Sequence, residues 1–339
     1  MALISIISDD LTGITDCASA FYEMGYNCSF SIENSECSES DIYFYNSHTR
    51  NIKKIDILAE EFKKFKKRIS ANSIVIKKID STLRGNIEKE IECFFREFGF
   101  AKIAFLPENP LNKRIYTKNT YFVDGIPLKE SFYSKDPKSP ADMEIFSKLN
   151  KKYGNKVWSP EISSQNELIH AVKNALDNSF GIVGSSSIAF GFPKKENKKE
   201  FSFENDFSTL LISGSLNEKN RKQIENTKKY FKKIEITELE NIFNNNYSMI
   251  DISSSINESE YIKNAKIIGK YICDKNINVI ICGGNTSELI LDGFNESFRV
   301  IQNIAPGIPL LKYNKRKFIL KPGGFGSKEF YNICIESIK

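Results

Sequence analysis

The 339-residue chain predicts an α/β protein of two domains, each a mainly parallel sheet flanked by helices. Three observations carry that prediction. Short β-branched runs alternate with amphipathic segments in both halves, the pattern of parallel strands joined by crossover helices. The length fits two domains better than one. Five polar or glycine-rich turns each close a predicted strand, the place where open α/β sheets bind ligands.

In order, residues 2–7 read as a buried strand and Ser8–Gly13 as a polar turn. Thr15 is placed to cap a helix that runs to Met24, with Gly25 at C′. Short strands follow at 28–32 and 42–45. Ile55, Leu58, Ala59, Phe62, Phe65 and Ile69 share one helical face. A strand over 74–79, a helix after Asn86 and a strand over 102–106 form a β-α-β unit. Residues 107–138 read as loops and a hairpin whose Asp124-Gly125 turn joins 121–123 to 126–128. A helix over 168–176 and a strand over 181–183 follow, and the patternless stretch 193–206 is the linker candidate. The domains are therefore set at 1–200 and 207–339. The second alternation has strands at 210–212, 234–236, 249–252, 279–282, 300–304 and 318–321. Its helices are expected over 218–231, 258–274, 287–294 and 330–338.

Hydrophobic residues make up 40% of the chain, enough for two cores, and no apolar run nears the roughly 20 residues of a membrane span. Asp9 and Asp10 interrupt the apolar start too early for a signal peptide, so a cytoplasmic protein is expected. The net charge is +5, but lysines are scattered and no basic, aromatic-interleaved module marks a nucleic-acid footprint. Seven cysteines without a C-x-x-C pair read as reduced thiols. Two histidines argue against a His-based metal cage.

The chemistry concentrates in the five turns. Ser8–Gly13 and nearby Asp16 bring carboxylates that suit hydroxyls, a proton or Mg²⁺. Asp9 and Asp10 would point to opposite sides if the strand continued, leaving one for a ligand. Lys77–Asn86 holds Asp80, Ser81, Thr82 and Arg84, whose planar fork matches a carboxylate or phosphate. Lys77 and Lys78 alternate, so one at most points at a given site. Asn46–Arg50 adds a further cation, with His48 read as a surface turn residue. In the second half, Ser213-Gly214-Ser215, Gly283-Gly284-Asn285-Thr286 and Gly323–Ser327 are glycine loops that permit close backbone approach to phosphates. Neither a Walker A sequence nor a dinucleotide fingerprint is present. Acids and cations in one domain and phosphate loops in the other, facing a cleft, are what phosphoryl transfer needs.

On these residues the chain resembles the four-carbon acid sugar kinase family. SDDLTGITD at 8–16 is similar to its ADDLTGA-x-D opening, and KKIDSTLRGN at 77–86 matches its KxDSTLRGN run nearly letter for letter. Residues 46–50 fall where the family has a T-D-S-R-like turn, and 183–186 resemble G-S-A-G-L. ISGSLNEKNRKQ at 212–223, CGGNT at 282–286, APGIP at 305–309 and KPGGFG at 321–326 follow the family's order.

The resemblance implies an ATP- and Mg²⁺-dependent kinase that phosphorylates the terminal hydroxyl of threonate, erythronate or a 3-oxo-tetronate. The substrate side would comprise Asp9, Asp10, Arg50, Lys78, Asp80, Ser81 and Arg84. Among these, Arg84 is the anion clamp and Asp10 or Asp80 the base. The ATP side would comprise Ser213, Ser215, Gly283, Gly284, Asn285, Thr286 and Gly323. A metal site in the protein itself stays unknown, and a homodimer stays open. Asn285 stands where the family has an acid, and 112–116 (NKRIY) departs from a G-R-T-type stretch. A sugar-acid or nucleotide sensor without turnover is the alternative, and an oxidoreductase is a weaker one.

Overall fold

The computed structural model of the chain describes residues 3–33, 40–50, 54–136, 139–196, 205–227, 229–255 and 257–338. Two compact units emerge, one from Met1–Cys28 with Cys37–Lys198, the other from Ser29–Glu36 with Lys199–Lys339. Most of the linker candidate at 193–206 lies outside the described residues.

The first unit is built on six parallel strands. In chain order come β1 (Ile4–Ser8), α1 (Leu11–Glu23), β2 (Cys28–Ser31), β3 (Ile42–Asn46), α2 (Ile55–Arg68), β4 (Ile74–Lys78), α3 (Ile87–Phe98) and β5 (Ile103–Leu106). Then follow β6 (Arg114–Thr117), β7 (Thr120–Val123), β8 (Ile126–Pro127), α4 (Ile145–Tyr153), β9 (Val157–Trp158), α5 (Gln165–Asp177) and β10 (Gly181–Gly184). The sheet order is β3-β1-β4-β10-β5-β9. Strand β1 is wholly buried, which explains its unbroken apolar run. Leu58, Phe62 and Phe65 of α2 pack with Ile91 and Phe94 of α3 in one core.

Two expectations are corrected here. Thr15 does not start α1: Asp10 is the N-cap, accepting from the Gly13 N–H at 2.7 Å, so half of the polar turn is already helix. Residues 107–138 hold an extra strand, β6, which completes a three-stranded antiparallel sheet with the expected hairpin. Sequence pattern hides β6 because it pairs locally and only one of its four residues is buried. Strand β9 and helix α4 were also not anticipated.

The second unit contains β11 (Thr209–Ser213), α6 (Glu218–Thr227), β12 (Lys232–Lys233), β13 (Tyr247–Asp251), α7 (Glu258–Ile272) and β14 (Asn278–Cys282). It ends with α8 (Gly284–Leu291), β15 (Ser297–Ala305), β16 (Ile308–Tyr313), β17 (Arg316–Lys321) and α9 (Phe330–Ile338). Strands β12-β13-β11-β14-β17 are parallel. The far side is antiparallel: β17 pairs with β16, β16 with β15, and β15 with β2. Thus β2, early in the chain, serves the second unit, where Phe30 stacks on Phe298 at 5.2 Å. The strand expected over 234–236 is shifted. Pairing ends at Lys233, and Ile236 opens a 3-10 stretch.

Candidate functional site

In the first unit, the polar turns gather at the carboxyl edge of the parallel strands. The register aligns Ser8 with Asn46 and Lys78, so the turns that follow β1, β3 and β4 leave side by side. Arg50 is the hub. Its Nε donates to Asp9 Oδ2 at 2.8 Å, its Nη2 reaches Asp9 Oδ1 at 3.3 Å, and its Nη1 pairs with Asp10 Oδ2. The expectation that adjacent acids would diverge fails because helix α1 begins at once and brings both carboxylates to one guanidinium. Gly85 lets the third turn close on them: its φ is +98°, and a Cβ there would lie 3.4 Å from Asp9 Oδ2.

Charge divides the two acids. Burial opposes ionisation of Asp9, but Arg50, Lys77 and Lys78 outweigh it and hold the carboxyl below its ordinary range. Asp10 is pushed up to about 6 by burial and by Asp9, against the pull of Arg50.

A second pair lies in the Lys77–Asn86 turn. Arg84 Nε donates to Asp80 Oδ2 at 2.7 Å and to Thr82 Oγ1 at 2.9 Å, Nη1 meets Asp136 at 3.4 Å, and the guanidinium lies over the Tyr133 ring. Thr82 also bonds Asp80. Burial works against the Asp80 charge, yet Arg84 and Arg50 keep its carboxyl far below the usual range. Nη2 of Arg84 has no hydrogen-bond partner among the described residues. Ser81 is half-buried, and its carbonyl accepts from Tyr121 Oη at 2.8 Å.

The two lysines part. Lys78 Nζ bonds the Ile79 carbonyl at 2.8 Å and stands 3.8 Å from Asp16. Lys77 is fully buried against Glu90 at 3.2 Å. Glu90 also accepts from Thr49 Oγ1, and Thr49 Oγ1 meets Ser47 Oγ at 2.7 Å. Of this layer behind Arg50, the sequence points to Lys77 and to the hydroxyls of the 46–50 turn but not to Glu90. Glu90 sits on a helix face that reads as ordinary solvent-side charge.

In the second unit, Ser213, Cys282 and Lys321 stand abreast at the carboxyl edge of β11, β14 and β17. The loops beyond them touch. A Cβ on Gly214 would meet Thr286 Oγ1 at 2.2 Å, and one on Gly323 would meet Ser215 Oγ at 2.2 Å. Gly283 caps α8 with φ +118°, so Gly284, Asn285 and Thr286 form its first turn, three residues earlier than expected. Asn285 is exposed, while Thr286 is buried and bonds Tyr261 Oη at 2.6 Å. Asn220, also missed, sits beneath. It bonds Ser213 Oγ at 3.1 Å and accepts from Tyr331 Oη at 2.5 Å.

Residues 4–186 match the family model of a sugar-binding N-terminal domain, and 257–331 that of a nucleotide-binding C-terminal domain. The chain belongs to the four-carbon acid sugar kinase family. It is 30% identical over 130 residues to a D-threonate kinase of Cupriavidus necator, a match covering 37% of this chain and 31% of the relative. A D-threonate kinase of Bordetella bronchiseptica is 27% identical over 146 residues, covering 40% and 36% respectively. The matches thus span about a third of each curated relative's length. The solved structure of a Haemophilus influenzae protein shares the fold, with a TM-score of 0.79 at 18% identity over 99% of this chain and 100% of that one. No described helix is long and apolar enough to cross a membrane.

Proposed function

We propose that this family member transfers the γ-phosphoryl group of ATP to the terminal hydroxyl of a four-carbon sugar acid of the threonate or erythronate type. The observation that carries the reading is the divided acid pair: Asp9 held ionised by Arg50, and Asp10 raised to about 6 on the same guanidinium. A base poised near neutral pH beside fixed cations suits a polyol anion whose hydroxyl must lose a proton. Asp10 is therefore the preferred base. Asp80 is the weaker choice, because its carboxylate is committed to Arg84. Arg84 Nη2, supported by Lys78, is the donor for the substrate carboxylate, and Ser81 lines the same turn.

The glycine loops of the second unit suit a polyphosphate through their bare backbone beside the N-terminus of α8, and Gly214 and Gly323 let those loops close on Thr286 and Ser215. Ser213, Ser215, Gly283, Gly284, Asn285, Thr286 and Gly323 are assigned to it. Among the described residues no group of three or more His, Cys, Asp or Glu side chains gathers. Mg²⁺ would be carried by the phosphates and waters, with the exposed Asn285 side chain offering an oxygen beside them. When bound, Mg²⁺ offsets phosphate charge.

ADP production with a panel of threonate, erythronate, 4-hydroxythreonine and glycerate tests the reading. Sugar-acid-stimulated ADP release is expected. Binding of ATP and a tetronate with no ADP formed would leave a sensor instead.

A further inference from the structure

Lys321, at the end of β17, is 1% exposed, and among the described residues no carboxylate pairs with it. Its Nζ donates to neutral acceptors: Gly323 O at 3.0 Å, Pro322 O at 3.3 Å, Asn220 Oδ1 at 3.4 Å, with Cys282 Sγ at 3.5 Å. Buried charges are ordinarily paired, so an ammonium left without a counter-charge beneath three touching glycine loops is set for an anion.

The loop geometry adds a second argument. Every described peptide bond is trans, and a planar trans peptide points its N–H opposite to its C=O. By drawing the Pro322 and Gly323 carbonyls toward itself, Lys321 turns the Gly323 and Gly324 N–H groups the other way. Neither N–H donates a hydrogen bond among the described residues. Two successive outward N–H groups over a buried cation form an anion nest.

We propose that Lys321 is the positioning residue of the polyphosphate site. It holds the 322–324 turn in its anion-binding form and places below it a positive charge met only by neutral acceptors and the Phe330 and Tyr331 rings among the described residues. The ligand class is the polyphosphate of a nucleoside triphosphate, so this assignment rests on the nucleotide reading above.

Calorimetric titration of the full chain and of Lys321→Met with ATP, ADP and adenosine tests it. Loss should be graded by phosphate charge: about tenfold or more for ATP, less for ADP, and within about twofold for adenosine. An equal loss for all three would reduce Lys321 to a structural anchor and overturn the assignment, as would unchanged ATP affinity. If the unaltered chain does not prefer ATP to adenosine, the nucleotide reading itself falls and the assignment with it. Lys321→Arg, which keeps the charge, should retain the ATP preference. A folded Arg variant without it overturns the proposal even where the Met variant fails to fold.

Discussion

Replacing Asp10 by Asn should cut turnover sharply and yet make the folded chain more stable at neutral pH. Folding raises this carboxyl from 3.8 to about 6. At 1.36 kcal/mol per tenfold, that is about 3 kcal/mol of preference for the neutral form. The folded chain therefore keeps a proton that the unfolded chain releases. This contribution is whole below 3.8 and is lost as pH rises through about 6. Asparagine never ionises, and it caps a helix as well as aspartate does, so the bond from the Gly13 N–H survives. At pH 8 the variant should unfold several degrees higher, with a gain of up to about 3 kcal/mol, and at pH 4 the difference should shrink toward zero. Turnover with the best tetronate should fall about 10²–10⁴-fold, the usual worth of a general base. In the unaltered chain, kcat/KM should decline on the acid side with a midpoint near 6. The reasoning is refuted by an acid limb centred near 4, by an Asn variant that is less stable at pH 8, or by retained turnover.

Asp80→Asn should leave Arg84 without its closest partner and cost about 1–3 kcal/mol at pH 7 by urea denaturation. Because folding lowers this carboxyl, its stabilisation is present above 3.8 and lost on acidification, so the two proteins should converge at low pH. Lys77→Met strands the buried Glu90 carboxylate and should cost about 3–5 kcal/mol. Adding Glu90→Gln should recover most of it, and a double variant no better than the single one would discredit the pair. Gly283→Ala places a Cβ 2.5 Å from Thr286 Oγ1 at φ +118°, a strain of about 1–3 kcal/mol. Its KM for ATP should rise while that for the sugar acid stays, and an unchanged ATP KM would remove Gly283 from the nucleotide loop.

What the sequence made legible is what local order encodes. Strands β1, β11 and β14 are buried on both faces, so their apolar runs announce them, and the polar turns beyond them inherit their position. Helix α9 appeared at its full span for the same reason: its apolar face is continuous. The shortfalls are long-range. That Asp9 and Asp10 share Arg50 depends on a partner 40 residues away and on a helix that starts at Leu11. Glu90 and Lys321 look like ordinary charges at a helix face and a strand end. Only tertiary packing reveals that the first has a charged partner and that, among the described residues, the second has no carboxylate beside it. Strands β6 and β16 were hidden because their pairing is with neighbours rather than with a pattern of their own.

The site's chemistry turns on one arginine serving two unequal acids. Had Asp9 and Asp10 each found its own cation, both would be fixed anions and neither would take a proton near neutral pH. Arg50 instead gives two contacts to Asp9 and one to Asp10. Burial raises the proton affinity of Asp10 most, and Asp9, ionised beside it, raises it further, so one acid helps tune the other. The layer beneath preserves the asymmetry. Lys77 adds its charge to the side of Asp9, and Glu90 takes the Thr49 hydroxyl while the Thr49 N–H donates to the Asp9 carbonyl at 3.1 Å. A substitution in that layer should therefore move the acid limb of the kcat/KM profile without touching the substrate. Thr49→Val is the mildest form of it. It removes one hydroxyl and no charge, so a shifted limb with little loss of stability would tie the buried layer to the base, and an unmoved limb would confine it to packing.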